Sequence, residues 1–370
     1  MFQQYYQVNN VKCNNFYSAL LETKATGHFA EFVLPEDHLQ ALQNVDIEQL
    51  TQETTKSLMH KKLCYLKDNF GKLRLFYSGG TDSHTILNVA SDAGIVWDSA
   101  FMWFTSVNKD FSVDYEYKSA FEYIKQNNHL YKDLEIYNYT IEDYEVWFDE
   151  KTPYKYKDFY HGFRPCFDKI HTKNIDTENI LAVHGAEKPL IYVNKQKEYF
   201  WVITDAVDYN NSIWHTDFFQ DGFLPELAVK QAYLAKEYFQ KVLPERTGWL
   251  DYKSSPNLIQ HLGLDIPVAT NRKTAKAHAD DAWLNHKHKR AIEEIQLLGR
   301  QDIINAWLET SDLFINEMKD IPYGIDIVPV QVDCLNTTVN IAQNTQRIGA
   351  IFKLNNNNIE LLSHKDISQC

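Results

Sequence analysis

The sequence predicts an α/β protein with a central parallel sheet, a helical C-terminal lobe and short strands at the end of the chain. Apolar strand patterns alternate with amphipathic helix patterns between residues 46 and 193. This alternation is typical of βαβ units and parallel strands. From 221 to 319 the pattern is mostly helical, and short strand patterns follow. Ligands of parallel sheets bind beyond the carboxyl ends of the strands, so we look for function there.

The first helix and strand lead to a polar turn. Leucine and isoleucine recur at helical spacing from 46 to 70, and Gly71 is placed to end that helix. The apolar strand 73–77 follows and stops at the hexapeptide SGGTDS, residues 78–83. A second helix is predicted from about 83 to 93.

Strands and helices then continue to alternate. The β-branched and aromatic stretch 95–105 predicts a strand, 114–127 a helix, and 134–141 another strand. A further apolar strand within 179–193 ends at His184-Gly185. Because this strand and the one before SGGTDS both end in glycine-containing turns, we expect the two turns at one edge of the sheet.

Four segments follow from these patterns. We predict a small N-terminal element at 1–45, the α/β domain at 46–220, the helical lobe at 221–320 and a short β-rich segment at 321–370. In the last segment, strand patterns lie at 325–332, 339–341 and 350–354.

Composition disfavours several classes of protein. A net charge of −13 weighs against a large nucleic-acid surface, and we interpret the basic stretch 271–290 as a solvated helix face. A local patch for a phosphorylated substrate or an RNA is the alternative. The five cysteines form no CxxC pair, which disfavours zinc ribbons, iron–sulfur clusters and disulfide scaffolds. The N-terminus lacks signal-peptide features, and no uncharged apolar run reaches about 18 residues. We therefore expect a cytoplasmic protein without a membrane span.

Two other groups of side chains are weak candidates for chemistry. His278, Asp281, His286 and His288 do not share one face of a helix, which disfavours a common metal site. Cys166, in HGFRPCF, is interpreted as a structural cysteine rather than a nucleophile.

SGGTDS has the features of an anion-binding turn. Its glycines permit a sharp turn, and the helix behind supplies free amides and a positive dipole end. The Walker motif GxxxxGK[ST] and the dinucleotide motif GxGxxG are both absent. The hexapeptide is similar to the SGGxDS signature of the ATP pyrophosphatase superfamily, the PP-loop enzymes, and it has the strand–turn–helix setting of that signature.

The resemblance implies a Rossmann-like PP-loop (HUP-like) sheet, with ATP and Mg²⁺ as cofactors. In that family the loop holds the β- and γ-phosphates while the α-phosphate is attacked. Asp82 would then act as a catalytic residue that binds Mg²⁺ directly or indirectly, and a helix N-cap is its alternative role. The candidate nucleotide-binding residues are Tyr77, Ser78, Gly79, Gly80, Thr81, Asp82, Ser83, Phe104 and Gly185.

Within the superfamily, the chain resembles the synthetase domain of asparagine synthetase over about 46–193, and its helical lobe by pattern. The family's Gly-x-Gly-x-Asp-Glu signature is reduced here to Gly185-Ala186-Glu187-Lys188. The family's glutaminase domain would need a cysteine at position 2, where this chain has Phe2. We therefore expect free ammonia, another amine from a separate donor, or an intramolecular amine as the nitrogen source.

Lys188 and Glu187 are the remaining catalytic candidates. Lys188 would emerge beside the phosphate loop and reach the α-phosphate, while Glu187 would orient that lysine or act as a base. An ordinary charged turn before Pro189 is the alternative.

The expected activity is adenylation of a carboxylate or carbonyl oxygen with release of pyrophosphate, followed by transfer to a nitrogen nucleophile. The acceptor would be a small molecule or a nucleobase. Two alternatives stay open: a nucleobase- or tRNA-modifying enzyme of the same superfamily, including a thiolating one, and an inactive nucleotide-binding interaction protein. The missing CxxC pairs weigh against the first, and retention of every loop position weighs against the second. The oligomeric state is open.

Overall fold

The structure is a computed structural model. It describes residues 5–13, 16–104, 107, 118–147, 179–185, 188–204, 214–220, 222–250, 255, 257–268, 286–321, 325–332, 335–344 and 349–362. The basic stretch 271–290 falls outside these ranges up to residue 285, and Cys166, His278, Asp281, Ala186 and Glu187 also fall outside them.

Strands and helices are numbered along the described residues. The strands are β1 Tyr5–Val8, β2 Val11–Cys13, β3 Ala30–Val33, β4 Leu73–Phe76, β5 Trp97–Phe104, β6 Tyr131–Asn138, β7 Leu181–His184, β8 Leu190–Val193, β9 Tyr199–Thr204, β10 His215–Asp217, β11 Gly248–Leu250, β12 Ile325–Val332, β13 Thr337–Asn344, β14 Gly349–Leu354 and β15 Ile359–Leu362. The helices are α1 Phe16–Thr26, α2 Glu36–Gln43, α3 Ile47–Thr51, α4 Thr55–Phe70, α5 Thr81–Asp92, α6 Lys118–Gln126, α7 Ile141–Trp147, α8 Glu226–Val242, α9 Leu258–His261, α10 His286–Leu297 and α11 Gln301–Met318.

The centre of the fold is a five-stranded sheet in the order β10-β7-β4-β5-β6, with every neighbouring pair parallel. This confirms the predicted α/β class and its parallel sheet, which is compatible with a Rossmann-like core. The chain runs outward from β4 through β5 to β6 and then returns to the other side of β4 as β7. The strand order therefore reverses between β4 and β7, and in open α/β sheets ligands bind at such a reversal.

The helix predicted over 46–70 is two helices, α3 and α4. Asp46 accepts a hydrogen bond from the Gln49 amide and Thr54 accepts one from the Ser57 amide, so each helix has its own N-cap. Gly71 ends α4 as predicted, at φ 72°. Two N-capping side chains within one amphipathic pattern are the physical reason for the break.

Buried side chains hold α4 and α5 against the sheet. Every residue of β4 is buried, and Leu63 and Leu66 of α4 and Leu87 of α5 are fully buried. Burying a leucine side chain contributes about 1.5–3 kcal/mol. This packing fixes where the loop between β4 and α5 starts and ends.

A second, antiparallel sheet has the order β11-β8-β9-β14-β15. Its strand β14 pairs with β9, with Phe352 opposite Trp201. The strand pattern predicted at 350–354 is thus confirmed, and it pairs with a strand of the 46–220 segment. The sequence analysis assigned no strand to β9 or β10.

Two smaller sheets complete the described strands. β1 pairs with β2 and β3, and β12 pairs with β13 along eight residues. The described residues from 222 to 321 form helices α8 to α11 and strand β11, with Gly299 between α10 and α11. No helix in the described ranges combines the length and the hydropathy that crossing a bilayer requires.

Candidate functional site

The candidate site lies at the carboxyl ends of β4 and β7, where the strand order reverses. Leu75 of β4 is aligned with Val183 of β7 in a parallel pair. SGGTDS therefore leaves β4 beside the point where Gly185 leaves β7. The two turns that the sequence placed at one sheet edge do meet there.

The serines of SGGTDS hold the turn closed. The Ser83 hydroxyl oxygen accepts a hydrogen bond from the Ser78 amide at 3.2 Å and lies 3.2 Å from the Ser78 hydroxyl. The Gly80 amide donates to the Ser78 hydroxyl at 3.3 Å. These contacts fix the path of the backbone between the strand and the helix.

Gly79 is required by both conformation and space. Its φ is +67°, in the left-handed region that glycine tolerates best. A Cβ at Gly79 would lie 2.3 Å from the Cβ of Ala120 in α6. The Gly79 carbonyl accepts a hydrogen bond from the Val268 amide at 3.0 Å. The turn is thus enclosed by α6 on one side and by the segment 264–268 on another.

Helix α5 begins within the motif. Gly80 is its N-cap and provides no side chain to cap the helix, and the first intrahelical bond runs from the His84 amide to the Gly80 carbonyl at 2.9 Å. The amides of Thr81, Asp82 and Ser83 precede that bond, so the helix supplies no partner for them. Together with the helix dipole they form a site that attracts an anion. Asp82 is the second residue of α5, so the alternative that it caps the helix is wrong.

Asp82 and Lys188 form an ion pair. The Lys188 Nζ donates to Asp82 Oδ2 at 2.6 Å, and the two side chains are 11% and 12% exposed. The second carboxylate oxygen, Oδ1, is buried and has no hydrogen-bond partner among the described residues. Asp82 is therefore not the exposed residue that its place in a strand-end loop suggests, because its side chain is largely buried at this ion pair.

Gly185 brings the end of β7 against the start of α5. A Cβ at Gly185 would lie 2.9 Å from the Ser83 amide nitrogen and 3.0 Å from the Cβ of Asp82. No larger residue fits at this distance without a shift of the backbone. The close approach places Lys188, three residues later, within reach of Asp82.

A polar network lies behind the turn. The Tyr77 hydroxyl is 3.2 Å from His84 Nδ1, and the Asn88 amide nitrogen is 3.2 Å from His84 Nε2 and donates to Asp265 Oδ2 at 2.8 Å. Tyr123 donates to Asn88 Oδ1 at 3.3 Å. Burial raises the pKa of Tyr77. Burial also lowers the pKa of His84, against the opposing charge of Asp265. Tyr77 is thus an interior residue that contacts α5 through His84.

Phe104 is also an interior residue. It is fully buried at the end of β5, where its ring meets Phe121 of α6 edge-on, with the centroids 6.2 Å apart. Of the predicted candidates, the structure therefore brings the residues of SGGTDS together with Gly185 and Lys188. Glu187 lies outside the described residues.

Two buried histidines beside the site were missed by the sequence analysis. His184 Nε2 lies 3.0 Å from His215 Nδ1, and the ring of Phe76 stacks on His184 with the centroids 4.1 Å apart. Burial, and then the nearby His215, lower the pKa of His184 well below 6.5, so its imidazole is neutral at pH 7. The only local signal was the position of His184 directly before Gly185.

Among the residues that the structure describes, this edge has no cluster of protein ligands for a metal ion. Within the described ranges no group of three or more histidine, cysteine, aspartate or glutamate side chains could hold an ion. No model of a known protein family and no curated protein sequence matches this chain.

Proposed function

We propose that this chain is a Mg²⁺-dependent enzyme of PP-loop type that cleaves ATP between the α- and β-phosphates. It adenylates a carboxylate or carbonyl oxygen and passes the activated group to a nitrogen nucleophile. The observation that supports this proposal is the SGGTDS turn at the strand-order reversal, with the Lys188 ammonium beside Asp82, the only carboxylate of the hexapeptide. The resemblance to the synthetase domain of asparagine synthetase supplies the reaction class.

The turn suits the phosphates of a nucleotide. The amides of Thr81, Asp82 and Ser83 form the first turn of α5, and its dipole end favours negative charge. The Ser78 and Ser83 hydroxyls keep the turn closed around that position. No lysine of the Walker kind is present, so Lys188 is the cation that the described part of the site provides.

Asp82 suits Mg²⁺. Its Oδ1 is buried without a hydrogen-bond partner among the described residues, and buried polar atoms are normally satisfied by a protein group, a water or an ion. Mg²⁺ usually binds one or two carboxylates together with substrate phosphates and water rather than a full cage of protein ligands. When bound, Mg²⁺ would neutralise charge on the departing pyrophosphate.

The residues of the chain would act on the α-phosphate. An acceptor oxygen forms a bond to the α-phosphorus while the bond to the α,β-bridging oxygen breaks, and pyrophosphate leaves with the bonding electrons. The α5 amides would stabilise the charge that develops on pyrophosphate, because they are already oriented before the reaction. Lys188 would stabilise charge on the α-phosphate and orient the acceptor. A nitrogen nucleophile then displaces AMP.

The products of ATP cleavage test the proposal. Wild-type protein with candidate acceptors and labelled ATP should yield AMP, pyrophosphate and an adenylated intermediate detectable by mass spectrometry. Asp82→Ala would leave the fold intact only if the Asp82 side chain were exposed, as its place in a strand-end loop suggests. Since Asp82 is mostly buried against Lys188, Asp82→Asn is the better variant, because it keeps the shape of the side chain.

A matched control lies on the same helix. Asp92 is the last residue of α5 and is exposed, with Lys56 as its ion-pair partner. Asp82→Asn should lower AMP formation by about 100-fold or more, the effect of removing a major transition-state contact. Asp92→Asn should leave it unchanged. ADP and phosphate as the stoichiometric products, or equal activity of the two variants, would contradict the proposal.

A further inference from the structure

The Asp82–Lys188 ion pair determines how a metal ion can bind Asp82 at the proposed active site, so the inference drawn from it rests on the proposed function. The two residues are 106 positions apart and their charged atoms are 2.6 Å apart. Both side chains are nearly nine-tenths buried. A surface ion pair has little effect, but charges largely withdrawn from water interact strongly and are weakly screened by salt.

One carboxylate cannot serve two cations equally well. Lys188 holds Oδ2, and the only other oxygen of Asp82 is the buried Oδ1. A divalent cation on Asp82 would lie within a few ångströms of the Lys188 ammonium, and like charges at that distance repel. Without phosphate, the Lys188 ammonium already offsets the negative charge of Asp82. A triphosphate brings several more negative charges, enough for both cations.

We propose that Lys188 and a divalent cation are alternative partners of Asp82. The metal that arrives with ATP takes the carboxylate, and the displaced Lys188 ammonium turns to the phosphates. The position of Lys188 suits this exchange, because Gly185, three residues earlier, packs closely on Asp82 and Ser83. Its long side chain can swing between two acceptors. Metal and nucleotide therefore bind cooperatively. The metal frees the Lys188 ammonium to bind the phosphates, and the phosphates supply the negative charge that both cations need.

Binding of Mn²⁺ alone tests the exchange. The free Mn²⁺ signal in electron paramagnetic resonance is followed as protein is added, without nucleotide. Lys188→Met removes the competing charge and should tighten Mn²⁺ binding by about 5- to 150-fold, the usual range of such couplings. The double variant Asp82→Asn/Lys188→Met should lose that gain.

A second ion pair provides the control. Lys67 donates to Asp98 at 2.7 Å, a comparable distance, and it belongs to α4 rather than to the site. Lys67→Met should leave Mn²⁺ binding unchanged. An unchanged affinity in folded Lys188→Met overturns the proposal, and so does a gain that persists in the double variant.

Wild-type protein keeps the proposal testable if Lys188→Met does not fold. Lys188 is mostly buried, so its acetylation by a small reagent, measured by mass spectrometry, should be slow. Mn²⁺ should accelerate it severalfold, and an unchanged rate overturns the exchange. AMP formation is measured separately: a Mn²⁺ gain without AMP refutes the proposed function alone, and AMP without a Mn²⁺ gain refutes the exchange alone.

Discussion

Replacing Gly79 with alanine tests whether the SGGTDS turn is fixed by its contact with α6. Gly79 has φ +67°, and an alanine Cβ there would lie 2.3 Å from the Cβ of Ala120. Real Cβ atoms do not approach so closely, so the turn or α6 must move. Gly94, just beyond α5, has nearly the same φ, +69°, but a Cβ there would have nothing within 4 Å. Gly94→Ala is therefore the matched control.

The two substitutions share one cost and differ in another. A left-handed backbone conformation costs a non-glycine residue about 1–2 kcal/mol. The lower entropy of the unfolded chain offsets this by about 0.4–1 kcal/mol at both positions. Forcing an extra methyl group into a packed contact costs about 1–3 kcal/mol more. Gly79→Ala should therefore destabilise the protein by about 1–3 kcal/mol more than Gly94→Ala does.

Urea unfolding of the two variants measures that difference. Adding Ala120→Gly to Gly79→Ala should recover part of the loss, since it removes the Ala120 Cβ but leaves the Ala120 Cα, 3.2 Å from where the new Cβ would lie. Ala120→Gly alone should cost about 0.5–1 kcal/mol, the usual effect of glycine within a helix. If Gly79→Ala costs no more than Gly94→Ala, the turn can move away from α6, and the argument that α6 fixes it is wrong.

Three further outcomes are expected. Burial, and then the charge of Lys62, lower the pKa of His38 from 6.5 to about 4. The neutral imidazole therefore contributes its full stabilisation of the fold above pH 6.5, and this stabilisation is lost as pH falls toward 4. The loss reaches about 3 kcal/mol, and urea unfolding of His38→Gln should lack it; equal pH slopes in variant and wild type would contradict this. Asn88→Ala removes the contacts that Asn88 makes with Asp265 and His84 and should cost about 1–3 kcal/mol; an unchanged unfolding midpoint would refute the network. With net charge −13, binding to total tRNA should be weak, and strong binding that falls steeply with salt would favour the tRNA-modifying alternative.

Local patterns predicted the elements that have strong local signals. β4, α5 and β5 follow an apolar run, a glycine turn and an aromatic run, and all three lie within a few residues of their predicted positions. β10 has only three residues, His215–Asp217, which is too short for any periodic pattern. β9 was missed as well, although its aromatic and β-branched residues favour a strand, and it pairs with the nearby β8 as well as with β14.

The candidate site divides in the same way. SGGTDS is contiguous, so its turn and a helix start within two residues of Thr81 could be predicted from the motif, whereas the contact between Ser78 and Ser83 was not predicted. The Asn88–Asp265 contact joins residues 177 positions apart, and the Asp82–Lys188 pair also crosses a large separation. The sequence placed Lys188 at the correct edge through the strand it follows, but it suggested Glu187, not Asp82, as its partner.

The strand order explains why the motif alone does not make the site. A hexapeptide that joins a strand to a helix N-terminus offers amides to an anion in any fold. The Lys188 ammonium follows β7. This strand lies against β4 only because the chain returns to that side of β4 after forming β5 and β6. With β7 at the far edge of the sheet, Gly185 could not pack on Ser83, and Lys188 could not reach Asp82. The pairing of Asp82 with Lys188 therefore depends on the reversal of the strand order as well as on the motif. Substitutions that disturb β7 should lower AMP formation as much as substitutions in the motif do.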